Sequence, residues 1–317
     1  MNTNPPPKHN PVVKYSVHCP MCGVDSVQYR LNPRLFWNES QDIDLQPRGL
    51  KFMPGLEGYH PPFYYMWHCA NCRWTAGHQH FSDPLKDVNM PLEIVQKKLK
   101  DSYQGDARFR SVVDKLSEGI DTQNPDFYSV TKLYLLGIFM RELIQVLLKQ
   151  DFGILAKYYL RLAWLHRDMQ AMPDDLAKYS PPLNELNAFL KQHWPNLPEN
   201  EQMGLRKAAD CYNLVFEDTH AMKNPVDEIN ILQLIARIHI KLGDWREARE
   251  LLADSIDRAS KHRAAIDQGL NAPRPPGSPI PTAAERGELV SQSRRLTRLI
   301  EDAQSLIEKC SEAMHLR

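Results

Sequence analysis

An α+β multidomain architecture, a small β ribbon followed by an all-α domain of helical hairpins, is predicted by three patterns. Four of the six cysteines form two Cys-x-x-Cys pairs near the N-terminus, Cys19/Cys22 and Cys69/Cys72, set among short alternating segments. From Ser129 onward, apolar residues recur at steps of three and four, the period of an amphipathic helix. The 24 prolines outnumber the 14 glycines and gather in the N-terminal tail, the ribbon loops and residues 271–281, where they punctuate the chain. The predicted organisation is a disordered tail at 1–12, the ribbon at 13–85, connecting helices at 86–122, a helical domain at 123–270, a Pro-rich linker at 271–281 and a C-terminal amphipathic helix at 282–317.

Charge narrows the functional classes. The 39 basic and 39 acidic residues balance over the whole chain. By segment the balance is +1 for 1–85, 0 for 86–122, 0 for 123–200, −2 for 201–270 and +1 for 271–317. No segment has the cationic excess that counterion release from a nucleic-acid backbone rewards. The strongly apolar patch Leu133–Met140 is far short of the roughly 20 residues of a membrane span. The polar, Pro-rich start MNTNPPPKHN lacks the apolar core of a secretory signal, so a cytoplasmic protein is expected.

The cysteine pairs carry the clearest chemistry. A Cys-x-x-Cys turn aims two sulfurs and several backbone N–H groups at one point, and two such turns close a tetrahedron. Cys19, Cys22, Cys69 and Cys72 are therefore the expected ligands of one structural Zn²⁺, with iron in a rubredoxin-like site as the alternative. Redox chemistry is disfavoured, because neither pair opens a helix after a strand. Catalytic zinc is disfavoured too, because four thiolates leave no position for water or substrate.

Around these pairs Lys14–His18, Ser26–Arg30 and Phe63–Trp67 alternate as strands do, while Pro33, Pro47, Pro54, Pro61 and Pro62 with Gly49, Gly55 and Gly58 are expected to break the stretch between them into loops. Cys19-Pro-Met-Cys22-Gly23, Asp42-x-Asp44, Pro62-Phe-Tyr-Tyr65, Cys69-x-x-Cys72, Trp74-Thr-Ala76 and Phe81-Ser82 together give a chain that resembles the bacterial family known as domain of unknown function 2225, over residues 17 to about 170 and more loosely to about 260. The resemblance implies a zinc-ribbon head on a tetratricopeptide-like body and lends no established activity. Where many members have Gly-Tyr after the second pair, this chain has Arg73-Trp74, a departure that falls on the local turn and not on the ligands.

Other polar residues carry weaker readings. On a strand, His78 and His80 would share a face, yet four thiolates already satisfy zinc. His18 and His68, each preceding a ligand, read as bystanders or as donors to the ligand shell. Asp42 and Asp44 lack the further oxygen ligands a hard cation needs, so a solvated or capping role is expected.

In the body, helices are expected from Pro91 and from Asp106. A hairpin follows, in which Leu133, Leu136, Gly137, Met140 and Ile144 face Leu155, Tyr158, Tyr159, Leu162 and Ala163 across a break at Asp151–Gly153, with a partner helix over 205–222. Leu232, Ile235, Ala236, Gly243-Asp-Trp245, Ala248, Leu252 and Ser255 take the large, small and turn positions of a tetratricopeptide unit. Beside them Asn230, Gln233, Arg237 and Lys241 form a polar stripe suited to a peptide backbone and a carboxylate; the plain alternative is the wet side of an amphipathic helix. Leu289, Ser293, Leu296, Ile300, Ala303, Ile307, Cys310 and Met314 make an a/d seam that Leu299 and Leu306 widen, which favours docking on the chain's own helices over a homodimeric coiled coil.

These patterns predict a non-catalytic, metal-stabilised scaffold that binds a protein or peptide partner, as a monomer or as a dimer through the last helix. The alternatives are nucleic-acid binding through Arg30, Arg34, Arg48, Lys51 and the ribbon aromatics Tyr29, Phe36, Trp37, Tyr64 and Trp67, and an enzyme without a recognisable local signature.

Overall fold

The computed structural model describes residues 11–54, 56, 58–85, 90–148, 152–217, 224–271 and 282–315. The tail up to residue 10, Gly55 of the expected loops, Asp151 of the expected break, residues 218–222 of the helix expected over 205–222, and the expected linker beyond Asn271 lie outside the described residues. The fold is α+β, antiparallel strand pairs followed by a mostly helical body, and it divides into two compact units. One comprises the chain up to Gln41 with Gln46–Ala208; the other comprises Asp42–Leu45 with Ala209 onward.

In the first unit six strands form three separate two-stranded antiparallel sheets. β1 (Val12–His18) pairs with β2 (Asp25–Leu31), β3 (Phe36–Gln41) with β4 (Pro47–Phe52), and β5 (Met66–His68) with β6 (Thr75–Gly77). The loops expected after Pro33 are thus corrected to a hairpin. Pro47 is accommodated at the first position of β4, where a missing N–H costs nothing, and Gly49 takes a left-handed φ of 61° opposite Glu39. The strand expected over Phe63–Trp67 is instead a 3₁₀ turn, Pro61–Tyr64, leading into the shorter β5, because Pro61 and Pro62 preset a helical first turn.

Helices α1 (His78–Phe81), α2 (Leu92–Gly105) and α3 (Ala107–Ser117) follow, and Asp106 caps α3 by accepting from the backbone N–H groups of Arg108 and Phe109. Next come α4 (Phe127–Leu148), α5 (Phe152–Gln170), α6 (Pro173–Lys191) and α7 (Glu201–Glu217), whose later part belongs to the second unit. α4 is apolar almost all round and buried, the pattern of a helix inside a core. Its Gly137 lies against the second knuckle, where a Cβ would collide with the Met66 methyl. From α5, the Tyr158 hydroxyl accepts the Gly77 N–H at 2.7 Å. Phe139 of α4 packs between Phe109 and Trp194, with ring centroids 5.2 and 5.0 Å away. Gln46 and Arg48 bind the Asp168 carboxylate at 2.8 and 3.0 Å, and Arg167 reaches both Gln46 and Glu201 at 2.7 Å.

The second unit is built on α8 (Pro225–Leu242), α9 (Trp245–Asn271) and α10 (Ala283–His315). Gly243, at φ 80°, ends α8 in a left-handed cap in which the Asp244 N–H returns to the His239 carbonyl at 2.9 Å. Thr282 and Glu285 open α10 with a reciprocal capping box. Leu296, Ile300, Ala303, Leu306 and Cys310 are buried in two clusters with Ala236, Ala248, Leu252, Ile229 and Ala259, so this chain's own helices cover the seam.

Candidate metal centre

Each cysteine pair sits in a hairpin turn, and the two turns repeat one another. In the first, Cys19 N–H donates to the Val24 carbonyl at 3.0 Å and Gly23 N–H to the Cys19 carbonyl at 2.9 Å; in the second, Cys69 N–H donates to Trp74 and Arg73 N–H to Cys69, both at 2.8 Å. The residue after the last cysteine is left-handed in both, Gly23 at φ 76° and Arg73 at φ 68°. The turn therefore survives the Gly-to-Arg departure, at the cost of a conformation that L-residues other than Gly, Asn and Asp disfavour by about 1–2 kcal/mol.

The flanking positions repeat as well. His18 pairs across its hairpin with Asp25 and His68 with Thr75, and each imidazole Nδ1 meets its partner's side-chain oxygen, at 3.0 and 2.8 Å. These histidines thus staple the base of their own knuckles. Burial pushes His68 down to about 4, so its ring stays neutral beside Cys69. The two hairpins are joined through Gln28, whose buried side-chain amide donates to the His68 carbonyl at 2.8 Å and accepts the His68 N–H at 3.1 Å.

All four sulfurs lie within 4.8 Å of one another. Cys19 and Cys72 are 3.6 Å apart, and Cys22 and Cys69 3.7 Å. A tetrahedral zinc–thiolate site with bonds of about 2.3 Å has sulfur–sulfur edges of about 3.8 Å, so the donor set fits such an ion in both kind and spacing. The Cys72 thiol, and then the backbone amides of Met21 and Cys22, stabilise a Cys19 thiolate and bring it down to about 5, while the Cys72 proton, shared with Cys19, is held far above the ordinary thiol range. Burial raises Cys69, whose sulfur also receives the amides of Cys72 and Asn71. Cys19 is thus favoured as a thiolate, its charge held by the Cys72 thiol and the backbone amides of the first turn.

The remaining candidates are placed elsewhere. His78 and His80 fall on the one-turn helix α1, not on a strand, and among the described residues only the cysteine quartet gathers three or more metal-binding groups. Asp42 accepts from the Ile43 N–H and from Lys241 Nζ, both at 2.7 Å. In the polar stripe, Asn230 is exposed, Gln233 is buried and donates to the Leu299 carbonyl at 2.8 Å, and Arg237 donates to the Ile43 carbonyl at 3.2 Å. Among the ribbon cations, Arg48 pairs with Asp168 and Lys51 with Glu39; among the ribbon aromatics, Trp67 is buried while Trp37 is 54 % exposed. The sequence reading missed Gln28, although a lone amide amid alternating residues on an otherwise unremarkable strand is its only signal. No helix among the described residues is long and apolar enough to cross a membrane.

A four-thiol cluster on paired hairpins, followed by a mostly helical body, defines the class of protein. The family model described as "uncharacterized protein conserved in bacteria (DUF2225)" matches residues 12–270, and the chain belongs to that family. Comparison with curated proteins and with solved structures finds no match.

Proposed function

We propose that the protein is a non-catalytic scaffold whose N-terminal ribbon is held by one structural Zn²⁺ on Cys19, Cys22, Cys69 and Cys72, and whose helical body binds a protein or peptide partner. The observation that carries this reading is the closed quartet: four sulfurs at tetrahedral spacing leave no coordination position for substrate, which suits a structural ion and not a catalytic one. The α8–α9 pair supports the partner-binding half. It has the small residues Ala236 and Ala248 at its contact and a left-handed glycine at its turn, as tetratricopeptide-like hairpins do.

The stripe supports it in a more particular way. Lys241 holds a carboxylate and Arg237 a backbone carbonyl of the chain's own Asp42-Ile43, with the Ile43 side chain against the apolar cluster of α8 and α9. An acidic-apolar peptide would use the same chemistry by displacing this segment from α8. Two measurements test the reading. Elemental analysis should return one zinc per chain, and proteins co-purifying with the full chain should be lost from a folded Arg237→Glu variant. A folded Arg237→Glu chain that retains every partner removes the groove from the proposal, and a metal-free native chain removes the ion.

A further inference from the structure

Beside the cysteine quartet, the first unit contains a cleft of about 310 Å³, within the size range of small-molecule sites. Its floor is apolar: Trp74, Phe109, Val113 and Met140 are all buried, and Leu99 closes one wall. The side-chain amides of Asn71, Gln96 and Gln104 and the Tyr103 hydroxyl, which donates to the Asp114 carboxylate at 2.5 Å, ring the floor. The walls are fixed in place, since Gln96 Nε2 donates to the Pro20 carbonyl at 2.6 Å and so ties α2 to the first knuckle. Cys22 and Cys72, the two less buried cysteines, reach the cleft, whereas Cys19 and Cys69 are enclosed.

Apart from the Cys22 and Cys72 sulfurs, the charged side chains lining the cleft are cationic. These are Arg73 and Lys100, and no carboxylate is among the lining residues. Arg73 adjoins Cys72 in the chain, and with the knuckle amides it offsets the negative charge that four thiolates retain around a divalent ion. Lys100 is different. It stands exposed on α2, a turn beyond Gln96 and a turn before Gln104, with no hydrogen-bond or ion-pair partner among the described residues. An apolar floor, a ring of neutral amide and phenol groups and one uncommitted ammonium complement an apolar ligand that ends in a single anionic group.

We propose that this cleft binds a small apolar monocarboxylate, with its hydrocarbon part on Trp74, Phe109, Val113 and Met140 and its carboxylate at Lys100. The cleft goes beyond the scaffold reading, because it lies outside the helical partner surface and would make the ribbon end of the chain responsive to a small molecule. Its test uses the metal-loaded full chain, labelled with ¹³C at the methionine methyls. Met140 and Met21 both line the cleft and report on it locally.

Titrated octanoate should shift the Met140 and Met21 signals saturably and leave the bound metal in place. Val113→Trp, or Leu99→Trp from the less buried wall, should abolish those shifts while the other methionine signals report an intact fold. Lys100→Gln should weaken octanoate by about tenfold, the loss of one charge-assisted contact, and leave binding of 1-octanol unchanged. The proposal is overturned if octanoate leaves both signals unmoved, if it still binds the folded tryptophan variants, if Lys100→Gln binds it as the parent does, or if octanoate acts by stripping the metal. The failure of the partner-binding reading would show in the co-purification experiment and leave all of these results untouched.

Discussion

Arg73 shows how one side chain can be held against its own backbone preference. Glycine fills the same left-handed position in the first knuckle, so Arg73→Gly should relieve about 1 kcal/mol of strain, yet it also removes the cation next to Cys72. The expected outcome is opposite in two assays: thermal stability of the loaded protein is maintained or raised, while metal is lost faster to a competing chelator. His166 is a second residue with a clear sign. Burial on α5 lowers its pKa from the ordinary 6.5 to about 4, so the unfolded chain takes up the proton first. The stabilisation from a neutral His166 is complete above about pH 6.5 and is lost as pH falls toward about 4. His166→Leu should flatten that limb, read as the difference in urea midpoint between pH 7 and pH 5. At this scale the four-cysteine cluster was legible because Cys-x-x-Cys geometry is local. The matching His18–Asp25 and His68–Thr75 bonds were not, because a seven-residue separation has no meaning until the hairpin register is known.

Among the elements, long periodic helices were readable and short or proline-bearing ones were not. The helices expected from Pro91 and Asp106 formed, as did the α8–α9 pair and the C-terminal helix, each declared by apolar spacing and a cap. α6 escaped notice because Pro181 and Pro182 stand inside it; the face made by Tyr179, Leu183, Leu186 and Leu190 stays buried and holds the helix through the interruption. The β3–β4 hairpin escaped for a related reason, its proline being tolerable only at the first position of a strand, where Pro47 stands opposite Gln41. Packing at the α8–α9 contact gives a quantitative expectation. Ala248 is fully buried between Ala236, Leu252 and α10, so Ala248→Trp should destabilise the protein by about 1–3 kcal/mol or more, measured by chemical denaturation.

With the quartet read as a structural zinc site, the ribbon would depend on the ion, whereas the helices are held by side-chain packing. Structural zinc sites contribute on the order of 10–16 kcal/mol of apparent binding energy in small peptides, far more than three two-stranded sheets can supply for themselves. Cys19→Ser or Cys72→Ser should therefore abolish metal binding and the near-ultraviolet signature of Trp67 and Trp74 while most of the far-ultraviolet helical signal remains; a variant with native near-ultraviolet spectra and no metal would contradict this. The α+β class was legible from composition and period. The make-up of the second unit was not, because no sequence pattern announces a bond such as that from Arg237 to Ile43, 194 residues apart. That bond has a practical meaning for anyone who handles the chain. A fragment beginning at Ala209, although it carries every helix of the bundle, lacks Asp42–Leu45 and so leaves Lys241 and Arg237 without those counterparts. During synthesis the same four residues leave the ribosome long before α8 exists to receive them, so the surface on α8 can be completed only near the end of translation.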